Sequence, residues 1–155
     1  MSTQTTDRIE KETVIKAPRS RVWRAISDPR EFGEWFKVDM SGVKFEPGKP
    51  VHAKMTYPGY EGHPFEMVID RMEPERLFSF KWHPYGIDQN VDYSSEPMTL
   101  IEFKLDEVDG GTKLTITESG FDNIPLARRA EAFRMNSQGW ATQIENVKNY
   151  VEGQK

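Results

Sequence analysis

The chain has 155 residues, 36% of them hydrophobic and 12% aromatic, with a net charge of −4. That describes one domain able to bury a substantial core, with no basic footprint for nucleic acid and no polybasic anchor for a membrane. There is no cysteine, which excludes a disulfide scaffold, a thiolate nucleophile, cysteine-held zinc and every cysteine-ligated iron–sulfur cluster.

Residues 1–11 are polar, without the hydrophobic core of a signal peptide, and no apolar run reaches membrane-spanning length. The expected compartment is therefore the cytoplasm. The ordered core is expected over about residues 8–152, with residues 1–7 as a flexible lead-in. Residues 8–17 alternate, with Ile9, Thr13 and Ile15 on one side, and read as a strand that Ala17-Pro18 ends. Val22, Trp23 and Ile26 carry helical spacing over residues 19–27. Asp28-Pro29-Arg30-Glu31 is a second helix start, with an N-cap, a first-turn proline and an acid at the third position. Gly33 predicts that this helix is brief and that Trp35-Phe36 lead into extended chain.

Met40, Val43 and Phe45 suggest a strand stopped at Pro47-Gly48, and residues 51–57 the next, ended by Pro58-Gly59. Phe65, Met67 and Ile69 share one face of a strand; Phe78, Phe80 and Trp82 share one face of another. Residues 83–97 are polar and turn-rich. Residues 99–105 alternate again, Asp109-Gly110-Gly111 is a strong hairpin signal, and residues 113–118 return with Leu114 and Ile116 inward. Short connections between successive strands imply an antiparallel meander.

The last segment is a long amphipathic helix. Leu126, Ala130, Phe133, Ser137, Trp140, Ile144, Val147 and Val151 form one stripe at steps of three and four. Pro125 fits the first helical position and Gly153 a C-terminal cap. Midway along, Asn136, Ser137 and Gly139 sit beside Phe133 and Trp140, where a helix that only fills a core would carry leucine. Either Ser137 back-bonds to the helix and Gly139 is a packing notch, or this turn lines a cavity. The class is α+β: a curved antiparallel sheet of about six or seven strands around a long C-terminal helix, with two short helices after the first strand.

Three stretches together resemble one family: Ile15-Lys16-Ala17-Pro18 with Val22-Trp23-Arg24-Ala25-Ile26-Ser27-Asp28-Pro29; Gly110 to Phe121; and Gly139-Trp140 followed by Ile144 and Val147. They are similar to the activator of heat-shock-protein-90 ATPase homologue family, of the C-terminal-domain type, within the START-like or SRPBCC superfamily. The resemblance implies the helix-grip fold, in which the sheet grips the last helix around a largely apolar cavity. In the co-chaperone that names the family, ATPase stimulation depends on a separate N-terminal domain, for which this chain is expected to lack room. Relatives labelled as a subunit of vanillate demethylation imply cluster cysteines and nucleotide-binding loops, and the sequence has neither.

No nucleophile elbow, phosphate-cradling loop or dinucleotide fingerprint occurs, and neither a cofactor nor a metal is expected. His63 and His83 are placed near one end of the sheet as loop-edge residues before prolines; a metal there would need a third ligand such as Glu61 or Glu66. Glu66 and Asp70 stand opposite in phase to Phe65, Met67 and Ile69 and are expected to face solvent. Glu118 shares its phase with Leu114 and Ile116 and is expected to point inward, where Arg134 or Asn136 would partner it. The expected cavity lining is Trp35, Phe36, Tyr57, Phe65, Phe80, Trp82, Glu118, Phe133, Asn136, Ser137 and Trp140, with residues 57–64 and 83–97 at its mouth. These features favour a binding module for a small apolar molecule. The alternatives are a co-chaperone-like module contacting a chaperone or other protein, and an enzyme of the cyclase or hydrolase kind found in the superfamily.

Overall fold

The computed structural model describes residues 8–84 and 92–153. The order is β1 (Arg8–Ile15), α1 (Arg19–Ser27), α2 (Pro29–Phe36), β2 (Val38–Asp39), β3 (Pro50–Met55), β4 (Pro64–Glu73), β5 (Leu77–Trp82), β6 (Thr99–Val108), β7 (Gly111–Ser119) and α3 (Leu126–Gly153), with a single 3-10 turn, Phe121–Asn123, before α3. Residues 1–7 and the central part of the 83–97 stretch lie outside the described residues.

All seven strands form one antiparallel sheet in the order β1-β7-β6-β5-β4-β3-β2. From β2 onward each strand pairs with the next, as the short connections required. The chain crosses from one edge to the other only between β1 and β2, through α1 and α2. A bulge between Ile69 and Arg71 shifts the β4–β5 register, the kind of irregularity that bends a strand and deepens sheet curvature. Inward residues of β4 to β7, among them Met67, Ile69, Phe78, Phe80, Ile101, Phe103, Leu114 and Ile116, form the core with Phe32 and Trp35 of α2 and the C-terminal half of α3. The fold is the helix-grip fold.

Several local expectations give way. Helix α2 runs on through Gly33 to Phe36, because this glycine is a point of close approach: a Cβ there would lie 2.4 Å from the Val38 carbonyl oxygen. Residues 40–45 form no strand, although Met40 and Phe45 are buried. Asp39 instead accepts from the Ser41 N–H and hydroxyl, and Val43 N–H donates to the Met40 carbonyl, so the chain turns. On α3 the buried residues are Ala132, Trp140, Gln143, Ile144, Val147 and Val151, whereas Leu126 is 79% exposed and Ala130 is also exposed. The stripe is covered only in its second half, where α3 crosses β1 and meets α1 and α2. Pro125 stands one residue before α3, and Gly153 is its last helical residue without a left-handed φ.

Candidate functional site

The uncovered middle of α3 faces the end of the sheet where β3 and β5 finish and β4 begins, and a cleft of about 750 Å³ opens between them. Four segments line it: Phe36 at the end of α2; Met55, Tyr57, Tyr60, His63, Pro64, Phe65 and Glu66 around the β3–β4 connection; Trp82, His83, Asp92, Tyr93 and Ser94; and Met135, Asn136, Gln138, Gly139, Trp140, Thr142 and Gln143 on α3.

Behind this wall lies Glu118 of β7, 0% exposed. Trp140 Nε1 donates to its Oε1 at 2.8 Å and Trp82 Nε1 to its Oε2 at 2.7 Å. The Thr99 hydroxyl donates to Oε2 at 2.5 Å, and Asn136 Nδ2 reaches both oxygens at 3.0 and 3.2 Å. Burial pushes the Glu118 carboxyl above its ordinary range, and the hydrogen bonds from Thr99, Trp82, Trp140 and Asn136 offset this only in part. Three of these four donors, Trp82, Asn136 and Trp140, are cleft residues whose N–H groups turn away from the cleft to reach the carboxylate. Gln143 behaves alike, donating to the Phe36 carbonyl and accepting from Asn146, about one turn further along α3.

The rings pack at steep angles. Trp82 stacks on Trp140 with centroids 5.5 Å apart at 23°. Phe36 meets Trp82, Trp140 and Phe65 edge-on at 5.4 to 6.2 Å, and Phe65 meets Trp82 at 6.0 Å. Tyr57 and Tyr60 sit 6.3 Å apart at 52°. Trp140 is only 2% exposed and forms the cleft's back, while Trp82, Tyr57 and Tyr60 are half-buried.

Of the residues expected to line a cavity, Phe36, Tyr57, Phe65, Trp82, Asn136 and Trp140 border the cleft and Glu118 stands directly behind them. Four do not reach it. Trp35 is core, its indole donating to the Ala25 carbonyl at 2.8 Å. Phe80 is enclosed by Phe32, Phe78 and Phe103. Phe133 packs against Phe121. Ser137 falls between the cleft face and the sheet face of α3. The helix presents residues 135, 138, 139 and 142 to the cleft, one position round from the apolar stripe. Gly139 is no packing notch, because a Cβ added there meets nothing within 4 Å. Arg134 is exposed, so Asn136 is the expected partner that Glu118 finds, and the two indoles are partners that strand phase alone does not disclose.

Of the remaining candidates, His63, Glu66 and His83 also border the cleft, and Asp70 does not. Asp70, at the bulge, accepts from the buried Ser79 hydroxyl at 2.9 Å, so it is half-buried rather than solvated. Glu66 is exposed with its carboxylate 3.7 Å from His52. His83 Nε2 lies 3.1 Å from the Glu96 carbonyl oxygen, and His63 lies edge-on to Tyr60. Among the described residues no group of three histidine or acidic side chains is placed to hold a metal, and no helix is long and apolar enough to cross a membrane.

The sequence profile of the family described as Activator of Hsp90 ATPase homolog 1-like protein matches residues 16–152. The chain belongs to this family. No curated protein matches it in sequence. Solved structures share its fold: MLL2253 from Mesorhizobium loti, with a TM-score of 0.73 and 21% identity over 96% of this chain and 98% of that one; NE0264 from Nitrosomonas europaea, at 0.73 and 18% over the whole of both chains; and a protein from Arthrobacter aurescens, at 0.75 and 15% over 98% and 91%. At such identities the likeness speaks for the family's fold, and the cleft has to be argued from its own residues.

Proposed function

We propose that this protein binds a small, largely apolar molecule in the cleft between the β3–β5 end of the sheet and the middle of α3. The observation that carries the proposal is the cleft wall: aromatic side chains face the space, and the N–H groups of Trp82, Trp140 and Asn136 are turned back onto Glu118. A back wall of aromatic rings whose N–H groups are already bonded suits an apolar ligand, and about 750 Å³ falls in the range of small-molecule pockets. Gly139 supports the reading, since a glycine in mid-helix costs stability and here no neighbouring atom requires it.

Titration of the neutral dye N-phenyl-1-naphthylamine tests this. Saturable 1:1 binding is expected, and Gly139→Leu, which places a side chain in the open space, should weaken it at least tenfold with the thermal midpoint unchanged or raised. The proposal fails if the wild-type chain shows no saturable binding, or if Gly139→Leu binds the dye as well.

A protein-interaction module of co-chaperone type is the second reading, supported by the family and by Leu126, which stands 79% exposed at the head of α3. ATP turnover by a purified Hsp90-type chaperone, with and without the chain, checks it. An enzymatic role has less support, because the buried carboxylate that would serve as acid or base has both oxygens occupied by donors of the wall.

A further inference from the structure

Among the described residues, those lining the cleft include no lysine and no arginine. Arg128, the nearby guanidinium, is engaged by the Glu96 carboxylate at 2.6 Å and by the Pro84 carbonyl at 2.7 Å, and it is not among the lining residues. Carboxyl groups stand on more than one side: Asp92 and Glu66 in the lining, and Glu118 directly behind the indoles, where burial opposes its ionisation and four hydrogen-bond donors favour it. An anionic ligand would meet these carboxyl groups, while Arg128, which lies over the lining Tyr93 ring at 4.8 Å, has its charge already paired with Glu96. It would also find the donors of Trp82, Trp140 and Asn136 already spent.

The same arrangement suits a cation. Aromatic faces attract positive charge through the ring quadrupole, and rings that meet at an angle offer a cation more than one face. An indole whose N–H donates to a carboxylate is polarised so that electron density shifts toward the ring, as in any hydrogen-bonded chain in a low-dielectric setting. Both Trp82 and Trp140 are so placed, and Trp82, half-buried on the cleft, is the one still able to receive a ligand. Glu118 cannot reach a ligand with its own oxygens, so its charge acts through the indoles. A primary ammonium, which demands hydrogen-bond acceptors when desolvated, gains little here; a fully alkylated one has no N–H to satisfy.

Resting on the ligand-binding reading of the same cleft, we propose that the ligand is an organic cation: an apolar body carrying a quaternary ammonium head, seated against Trp82 and the corner formed by Tyr57 and Tyr60. This sets the cleft's selectivity by charge as well as by shape.

Benzyltrimethylammonium and neopentylbenzene have nearly the same shape and differ by one charge; phenylmethanesulfonate supplies the opposite charge. Each is used to displace N-phenyl-1-naphthylamine at pH 8, where imidazole is neutral in its ordinary chemistry. The cation should bind at least tenfold tighter than the neutral compound, and the sulfonate weakest. Glu118→Gln, and to a smaller extent the exposed-site change Asp92→Asn, should reduce the preference for the cation over the neutral compound severalfold. Neutral and cationic compounds binding equally, or the neutral one tighter, would overturn the charge inference and leave the apolar-ligand reading standing. If the dye itself does not bind, the ligand-binding reading falls and this inference falls with it. The wild-type ordering decides the matter even if Glu118→Gln does not fold.

Discussion

Trp82 and Trp140 each present Glu118 with an N–H that can donate and never accept, so the ionised carboxylate is the form that satisfies both indoles. Burial opposes ionisation and raises the carboxyl above its ordinary value of 4.5, the hydrogen bonds offsetting part of the effect. The consequence for stability has a definite sign. Between 4.5 and the raised folded value, the native state holds a proton that the unfolded chain has lost. Stability therefore falls as pH rises through that interval. The shifted carboxyls Glu31 and Glu152 are lowered and act in the opposite sense, their contribution present above 4.5 and lost in more acid solution. Urea midpoints measured at intervals above pH 4.5 should decline in the wild type and lose that decline in Glu118→Gln; parallel curves for the two proteins would show that Glu118 does not titrate there.

Sequence phase was sufficient to turn Glu118 inward and to offer Arg134 or Asn136 as its partner, of which the structure brings Asn136. It could not supply the indoles, because Trp82 and Trp140 lie on elements whose mutual distance only the folded sheet fixes. Trp140 borders the cleft, and a wall residue with open space on one side would lose only about 2 kcal/mol on truncation. Its closure by Phe36, Trp82, Phe103 and Glu118 instead predicts a loss of about 3–5 kcal/mol for Trp140→Ala, read by chemical denaturation.

At the scale of elements, two helical glycines ask the same question and get opposite answers. On α2, Gly33 lets the helix lie against Val38, where a Cβ would sit 2.4 Å from a carbonyl oxygen. Gly33→Ala should cost about 1–3 kcal/mol, since backbone rather than a flexible side chain must move. On α3, the space around Gly139 is open, and Gly139→Ala should gain about 0.5–1 kcal/mol from helix propensity alone. Denaturation of the two variants side by side tests the contrast. Both glycines are equally visible in the sequence, and only three-dimensional neighbours separate them.

Glu31, on α2, ties the helices together: it accepts from Arg21 at 2.8 Å, pairs with Arg24 at 2.8 Å and accepts from the Tyr150 hydroxyl of α3 at 3.0 Å. Burial raises its carboxyl, but the bonds from Tyr150 and Arg21 and the two guanidinium charges outweigh that and hold it low. Glu31→Ala should lose about 2–3 kcal/mol at neutral pH, near the lower end for breaking a buried ion pair because Arg24 stays solvated. The loss should shrink in acid, as protonation removes the same charge from the wild type.

For the molecule as a whole, the alternation of β4 to β7 and the long final helix were legible as an α+β meander wrapped by a helix, because periodicity records which face is buried. The stretch from 40 to 45 was not, since buried Met40 and Phe45 carry the look of a strand while Asp39 and Ser41 turn the backbone. Nor was the phase of the cleft face on α3, which lies one residue away from the stripe that the sheet covers. The two phases coexist because the helix is 28 residues long, about 42 Å, and the sheet grips only part of it.

That division, gripped half and open middle, is the centre of the account, and the four tryptophans map it. Trp23 and Trp35 belong to α1 and α2, with the Trp35 indole bound to the Ala25 carbonyl in the core. Trp82 and Trp140 belong to the cleft wall and share Glu118. In a two-dimensional ¹⁵N–¹H spectrum the four indole N–H signals can be followed while N-phenyl-1-naphthylamine is added. The account predicts that the signals of Trp82 and Trp140 move together and saturate, while those of Trp23 and Trp35 stay in place. Movement of the Trp23 or Trp35 signal with Trp82 and Trp140 unchanged, or no saturable movement at all, would contradict it.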